Sequence, residues 1–296
     1  IIILLSSICT YFISRQALLP LRRLSQEVNK IEAQNLSKTL EVPATNDEIS
    51  RLTISFNKML ARLDEAFTAQ KQFSANAAHE LRTPLAVIQT NLEVFARREA
   101  PALKDYQEIF AMLQEQTGRL SHLAEILLDM TGVQTVERSE RISLAALTDE
   151  VFCDLASVAE QKDIELIQQE GDCIITGSYL LLYRAVYNLV ENAIKYNHSG
   201  GKVTVNIHLS EEITDTSTSV NYVILEVSDT GIGIPPEYQE KIFTPFFRVD
   251  KSRSRAMGGA GLGLALVSEI VRQHNGQVKV LESSKKGSVI AIMLPV

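Results

Sequence analysis

The chain of 296 residues contains no Gly-x-x-x-x-Gly-Lys-Ser/Thr run, which excludes a P-loop nucleotide site. It has no basic stretch of the kind that tracks a phosphate backbone, and its formal net charge is −7, so nucleic acid is not expected as a direct partner. Only three cysteines occur, Cys9, Cys153 and Cys173. They are too far apart for a metal-ligand pattern and suit a reducing cytosol better than a disulfide framework. The N-terminal apolar run, Ile1 to Ile13, is shorter than the roughly 20 residues needed to cross a bilayer. It starts without methionine, and Arg15, Arg22 and Arg23 follow, so residues 1–17 read as the cytoplasmic end of a transmembrane helix with the rest of the chain in the cytoplasm. A buried core helix or a signal-peptide remnant are the other readings of the same run.

What is present begins with helices. An amphipathic segment from Leu18 to Ala33 opens at Pro20, and a polar connector from Gln34 to Asn46 follows, anchored by Leu36, Leu40 and Val42. After Asp47 and Glu48, the residues Ile49, Leu52, Phe56, Met59, Leu63 and Ala66 alternate spacings of three and four, the pattern of a coiled-coil seam. From Phe73 to Leu85 the spacing becomes four throughout, a stutter that locally unwinds a supercoil. Within it His79 lies almost opposite the apolar face of Phe73, Ala77, Leu81 and Leu85, so it is predicted to face solvent. Glu80 follows directly, and Pro84 removes a backbone donor one turn later and should bend the helix. Beyond a loop around Arg97 to Pro101, a second helix carries the seam Leu113, Leu120, Leu123, Leu127 and Met130. One antiparallel hairpin cannot close so wide an apolar face, so two copies should pair into a four-helix bundle, making the protein a homodimer.

Past about Arg141 the pattern changes. Strand-like runs at 174–176, 202–209, 222–228, 277–282 and 288–294 interleave with helices near 144–161, 179–195 and 262–275. The expected fold is an α/β sandwich, one mixed sheet with helices on one face. Glu211 to Asn221 is polar and rich in Ser and Thr, and reads as a mobile hairpin connection.

Five clusters stand in order along the chain. The first is Ala78-His79-Glu80-Leu81-Arg82-Thr83-Pro84; then come Asn188-Leu-Val-Glu-Asn192-Ala-Ile-Lys195-Tyr196 and Asp229-Thr-Gly231-Ile-Gly233. Phe243-Thr-Pro-Phe246-Phe247-Arg248 and Gly258-Gly259-Ala-Gly261-Leu262-Gly263 complete the set. In order and approximate spacing these resemble the H, N, G1, F and G2 boxes of two-component sensor histidine kinases. The helices at 18–68 are similar to a HAMP signal-relay module, residues 69–135 to a dimerisation and histidine-phosphotransfer hairpin, and residues 141–296 to a Bergerat-type (GHKL) ATP-binding domain.

The resemblance implies ATP and Mg²⁺ as cofactors and a response regulator with a receiver aspartate as partner. Asn192 would hold the metal through its amide oxygen, Asn188 would support it, Lys195 would offset phosphate charge and Tyr196 would cover the adenine. Asp229 would accept from the adenine amino group, with Gly231 and Gly233 letting the backbone approach the ring. Phe243, Arg248, Gly259, Gly261, Leu262 and Gly263 would border the nucleotide, and the basic segment between Arg248 and Gly258 reads as a lid whose Arg253 reaches the γ-phosphate. His79 would be the phosphoacceptor, Glu80 would orient its ring and take its other proton, and Thr83 would position water for dephosphorylating the regulator. A GHKL ATPase of chaperone or DNA-repair type and an anti-sigma-type serine kinase share the ATP site but need no His79-Glu80 hairpin. A catalytically silent membrane scaffold needs neither.

Overall fold

The structure is a computed structural model that describes residues 2–3, 7, 26–27, 38–42, 48–132, 136–169, 171–213, 219–250 and 260–296. Most of the expected membrane segment and of the first amphipathic helix, together with Leu36, Arg253 and Gly259, lies outside them. Among the described residues no helix is long and apolar enough to cross a membrane.

The chain divides into two compact units, residues 1–78 and 79–296. In the first, the start of helix α1 (Glu48–Ala96) carries the connector. Asn57 clamps it in both directions: its Oδ1 accepts the Leu40 amide and its Nδ2 donates to the Leu40 carbonyl, each at 2.9 Å. Leu40 is buried beside this clamp, as its anchoring role predicts, whereas Val42 is exposed. The buried positions of this helical segment are Ser50, Thr53 and Leu60, while the seam residues Leu52, Met59 and Leu63 are exposed. The predicted seam is therefore a second face, separate from the one that holds the connector.

Helix α1 runs through Pro84 without a break. It ends in a short turn to α2 (Leu103–Gly132), where Phe95 packs edge-on against Tyr106 with ring centroids 5.0 Å apart. Asp105 closes the turn by accepting from the Ala102 amide at 2.8 Å and pairing with Arg98.

The α/β part comprises β1 (Glu140–Ser143), α3 (Leu144–Gln161), β2 (Glu165–Gln168), β3 (Ile174–Gly177), α4 (Tyr179–Lys195), β4 (Lys202–Ile213), β5 (Ser219–Asp229), α5 (Gly263–Gln273), β6 (Gln277–Ser284) and β7 (Gly287–Pro295). A five-stranded sheet has the order β2-β4-β5-β7-β6, parallel only at β2-β4, and β1 pairs with β3 in a separate ribbon. Period-two alternation puts Val203, Val205 and Ile207 of β4 on the buried face with Val223, Leu225 and Val227 of β5 and Ile290, Ile292 and Leu294 of β7. Register aligns them in rows, Val205–Val227–Ile290 and Ile207–Leu225–Ile292. The helices close this layer with stripes at helical spacing: Leu147, Val151 and Leu155 from α3, Ala185, Leu189 and Val190 from α4, and Leu266, Ile270 and Val271 from α5. Ser143 starts α3 as its N-cap, accepting from the Ala146 amide at 3.1 Å.

Strands β1 and β2 are additions to the expected pattern. The 211–221 segment also differs, because β4 and β5 stay paired out to Ile213 and Ser219. Residues 214–218 lie outside the described residues.

Candidate functional site

A cavity of 810 Å³ opens where the C-terminal half of α4, the end of β5 and the start of α5 meet. Asn188, Asn192, Lys195 and Tyr196 line it from α4 and its C-cap, Asp229 and Gly233 from the end of β5 and the loop after it, and Gly261, Leu262 and Gly263 from the approach to α5. Spacings of four and three on α4 bring its polar side chains to one face, while the opposite face is buried in the core. Each asparagine is held by its own helix: Asn188 Nδ2 donates to the Arg184 carbonyl and Asn192 Nδ2 to the Asn188 carbonyl, both at 2.8 Å. The amide oxygens are thereby the free ends. Two hard, neutral oxygens next to a cationic corner fit a magnesium ion that takes its other ligands from phosphates and water.

Asp229 Oδ1 accepts the Gly231 amide at 2.7 Å. Burial pushes its carboxyl pKa up, and the backbone N–H groups of Gly231 and Ser288 oppose that rise. A desolvated acceptor with lone pairs to spare suits an exocyclic amine. Burial pulls the Lys195 ammonium pKa down, Glu191 counters this, and the positive charge of Arg248 adds to it. Lys195 and Arg248 both line the cavity, so this corner favours a bound polyanion.

Gly233 has φ +73°, and a side chain there would strike the Ser284 carbonyl. Gly231 is outside the cavity lining, and its missing side chain makes room for the Tyr196 carbonyl, so it serves the protein's own packing. Phe243, on a short 3-10 turn, does not line the cavity either; Phe247 does, packed against Tyr238. The chain between them is pinned by the Phe246 amide, which donates to the Gly261 carbonyl at 2.8 Å, with Phe246 at φ +64°.

His79 is exposed, and Thr83 donates back to its carbonyl at 3.1 Å. Neither lines the cavity. The connection between the two sites is Glu80, whose Oε2 accepts from Arg248 Nη2 at 2.9 Å. Helix α2 adds contacts that no motif announces. His122 and Ile126, one turn apart, line the cavity, and Asp129 pairs with Arg184 on α4, one turn before Asn188. Sequence periodicity assigned this stretch of α2 to a seam of Leu120, Leu123 and Leu127, and singled out neither His122 nor Ile126.

The arrangement defines a class. Three family models match in chain order: the HAMP domain over residues 12–65, the His Kinase A (phospho-acceptor) domain over residues 69–135, and the histidine kinase-, DNA gyrase B- and HSP90-like ATPase over residues 177–296. This set and order of domains, ending in an ATP-binding domain of the HATPase type, matches a two-component sensor histidine kinase.

Among individual proteins it is similar to the sensor histidine kinase CusS of Escherichia coli O157:H7, with 31% identity over 279 residues, 93% of this chain and 56% of CusS. It is also similar to the signal transduction histidine-protein kinase ArlS of Staphylococcus aureus strain USA300, with 30% identity over 297 aligned residues, 98% of this chain and 63% of ArlS. The chain thus spans about three fifths of the length of the curated relatives it matches. Its fold is like that of the histidine kinase ThkA, solved in complex with the response regulator protein TrrA, at a TM-score of 0.59 and 22% identity over 84% of this chain and 68% of that one.

Proposed function

We propose that this chain is the signalling core of a membrane sensor kinase that transfers the γ-phosphoryl group of Mg-ATP to His79 and then to an aspartate of a response regulator. The observation that carries this reading is the bond from Arg248, in the cavity wall, to Glu80, the residue after His79. A nucleotide-site cation touching the neighbour of an exposed histidine is not required by a GHKL ATPase or by a silent scaffold.

In the reaction, an imidazole nitrogen of His79 attacks phosphorus in line and the bond to the ADP oxygen breaks, with Glu80 accepting the proton of the other ring nitrogen. Asn192 and Asn188 would hold the metal and phosphates, Lys195 and Arg248 would offset their charge, and Asp229 would orient the base. Magnesium would neutralise charge on the phosphates as it develops. Phe247 takes the place expected for Phe243. Arg253 is proposed for the lid, and Tyr196, Gly259, Gly261, Leu262 and Gly263 for the nucleotide border. Thr83 would aim water in the reverse, phosphatase direction.

The organisation follows: a membrane helix over 1–17, a HAMP relay over 18–68, a dimerising phosphotransfer hairpin over 69–135 and a catalytic domain over 141–296, with the chain after residue 15 cytoplasmic. The homology to sensor kinases and the exposed apolar faces of the hairpin support the dimer, and the ThkA–TrrA complex supports the regulator as partner.

The test is incubation with γ-labelled ATP and Mg²⁺, for wild type and His79→Gln, followed by acid or base. Label that is lost in acid, survives base and is absent from His79→Gln is the expected outcome. Label retained in the variant rules out His79 as acceptor.

A further inference from the structure

Arg248 stands between two anion positions. Its Nη2 is committed to Glu80 Oε2 at 2.9 Å, its side chain is 6% exposed, and its buried Nε has no acceptor among the described residues. The same side chain lines the nucleotide cavity. A buried guanidinium N–H without a partner is costly, and an arriving oxygen anion would satisfy it. At the other end, a carboxylate whose lone pairs are held by a guanidinium has fewer left for an imidazole N–H. The contact therefore occupies the group that His79 needs as its base.

We propose that Arg248 is a positioning residue that exchanges Glu80 for the nucleotide phosphates, so that the base beside His79 is released only when the cavity is filled. The inference rests on the nucleotide reading of the cavity and adds a coupling to it. No covalent bond changes in this step. One planar fork leaves a carboxylate for phosphate oxygens, which match its geometry at least as well and carry more charge. Glu80 then turns to the ring N–H of His79. Because binding phosphate means giving up Glu80, the wild-type chain binds nucleotide less tightly than a chain without that carboxylate would.

Equilibrium binding of the β,γ-imido analogue of ATP, with Mg²⁺, to the full chain tests this. Glu80→Gln tightens binding on the order of three- to tenfold, the scale of one charge-assisted contact released. Arg248→Met weakens binding, and adding Glu80→Gln to it brings no gain. A merely structural role for the pair predicts no tightening in any variant. Unchanged affinity in Glu80→Gln overturns the exchange while leaving the nucleotide site intact, and so does an equal gain in the Arg248→Met background, which would reflect general charge. Glu80 lies on a partly exposed helical face, so its variant carries the test even if Arg248→Met fails to fold. A wild type that binds no nucleotide overturns the nucleotide reading and the exchange together.

Discussion

The α/β region and the helical hairpin handle apolar surface in opposite ways. Around the sheet, Leu266 and Ile270 are 1% and 0% exposed, and the rows across β4, β5 and β7 close against three helices of the same chain. On the hairpin, Phe110 and Leu128 are 63% and 70% exposed, and Leu85, Leu92 and Val94 also face outward. The first region finishes its core within one chain, and the second leaves an apolar face that calls for another surface. The cavity is thus walled by a core that one chain completes, whereas His79 sits on a helix that keeps large apolar side chains exposed.

The sharpest way to break this comparison is to ask which chain's nucleotide serves which histidine. The Arg248–Glu80 bond lies within one chain. Dimers mixed from His79→Gln and Asn192→Ala protomers are therefore expected to take up no label on either, measured by autoradiography after protomers are exchanged. Label on the Asn192→Ala protomer would mean that the nucleotide serving His79 sits in the partner chain, although Arg248 and Glu80 meet within one chain.

Next in size is the core itself. Leu266→Ala should destabilise a 136–296 fragment by about 2–5 kcal/mol in urea titration, with a midpoint independent of protein concentration. Leu128→Glu acts on the open face instead. It lies outside that fragment and should weaken self-association of a 69–135 fragment about tenfold or more by sedimentation. An unchanged association constant would show the face to be ordinary surface.

The smallest effect concerns His274, buried at the C-cap of α5. Its Nε2 accepts the Ser178 amide at 3.1 Å while Nδ1 donates to the Ile270 carbonyl at 2.8 Å, so only the neutral ring satisfies both. Burial lowers its pKa, the backbone bond to Ile270 opposes this, and Arg138 adds to the lowering. The unfolded chain thus takes up a proton near pH 6.5 that the folded state refuses. The contribution is complete above that value and is lost as pH falls through it toward the folded pKa. Urea midpoints should drop between pH 7.5 and 5.5, and the drop should shrink in His274→Gln.

Much of this was legible because it is periodic. The stripes of α3 and α4 fixed their limits from the letters alone, since every turn repeats the pattern. Strand β1 has one buried residue, Ile142, and β2 is four residues long with polar ends, so neither leaves a period to read. The polar face of α4 was visible, as four-residue spacing needs no tertiary knowledge. Phe247 rather than Phe243 lines the cavity through a single left-handed residue, Phe246, and a bond to Gly261, which no propensity for phenylalanine implies. His122 and the Glu80–Arg248 pair are products of how helices dock, separated from their partners by too many residues for any local pattern to announce them.

The back-bonded asparagines of α4 also explain why that face carries amides. A carboxylate at 192 would supply a stronger metal ligand, but its second oxygen would meet the Asn188 carbonyl where Nδ2 now donates. Two acceptors would face each other across a hydrogen-bond distance, and the side chain would have to swing out of its rotamer. The helix backbone acts as a jig: it accepts only a group with a donor on one side, and so leaves an oxygen of fixed direction on the other.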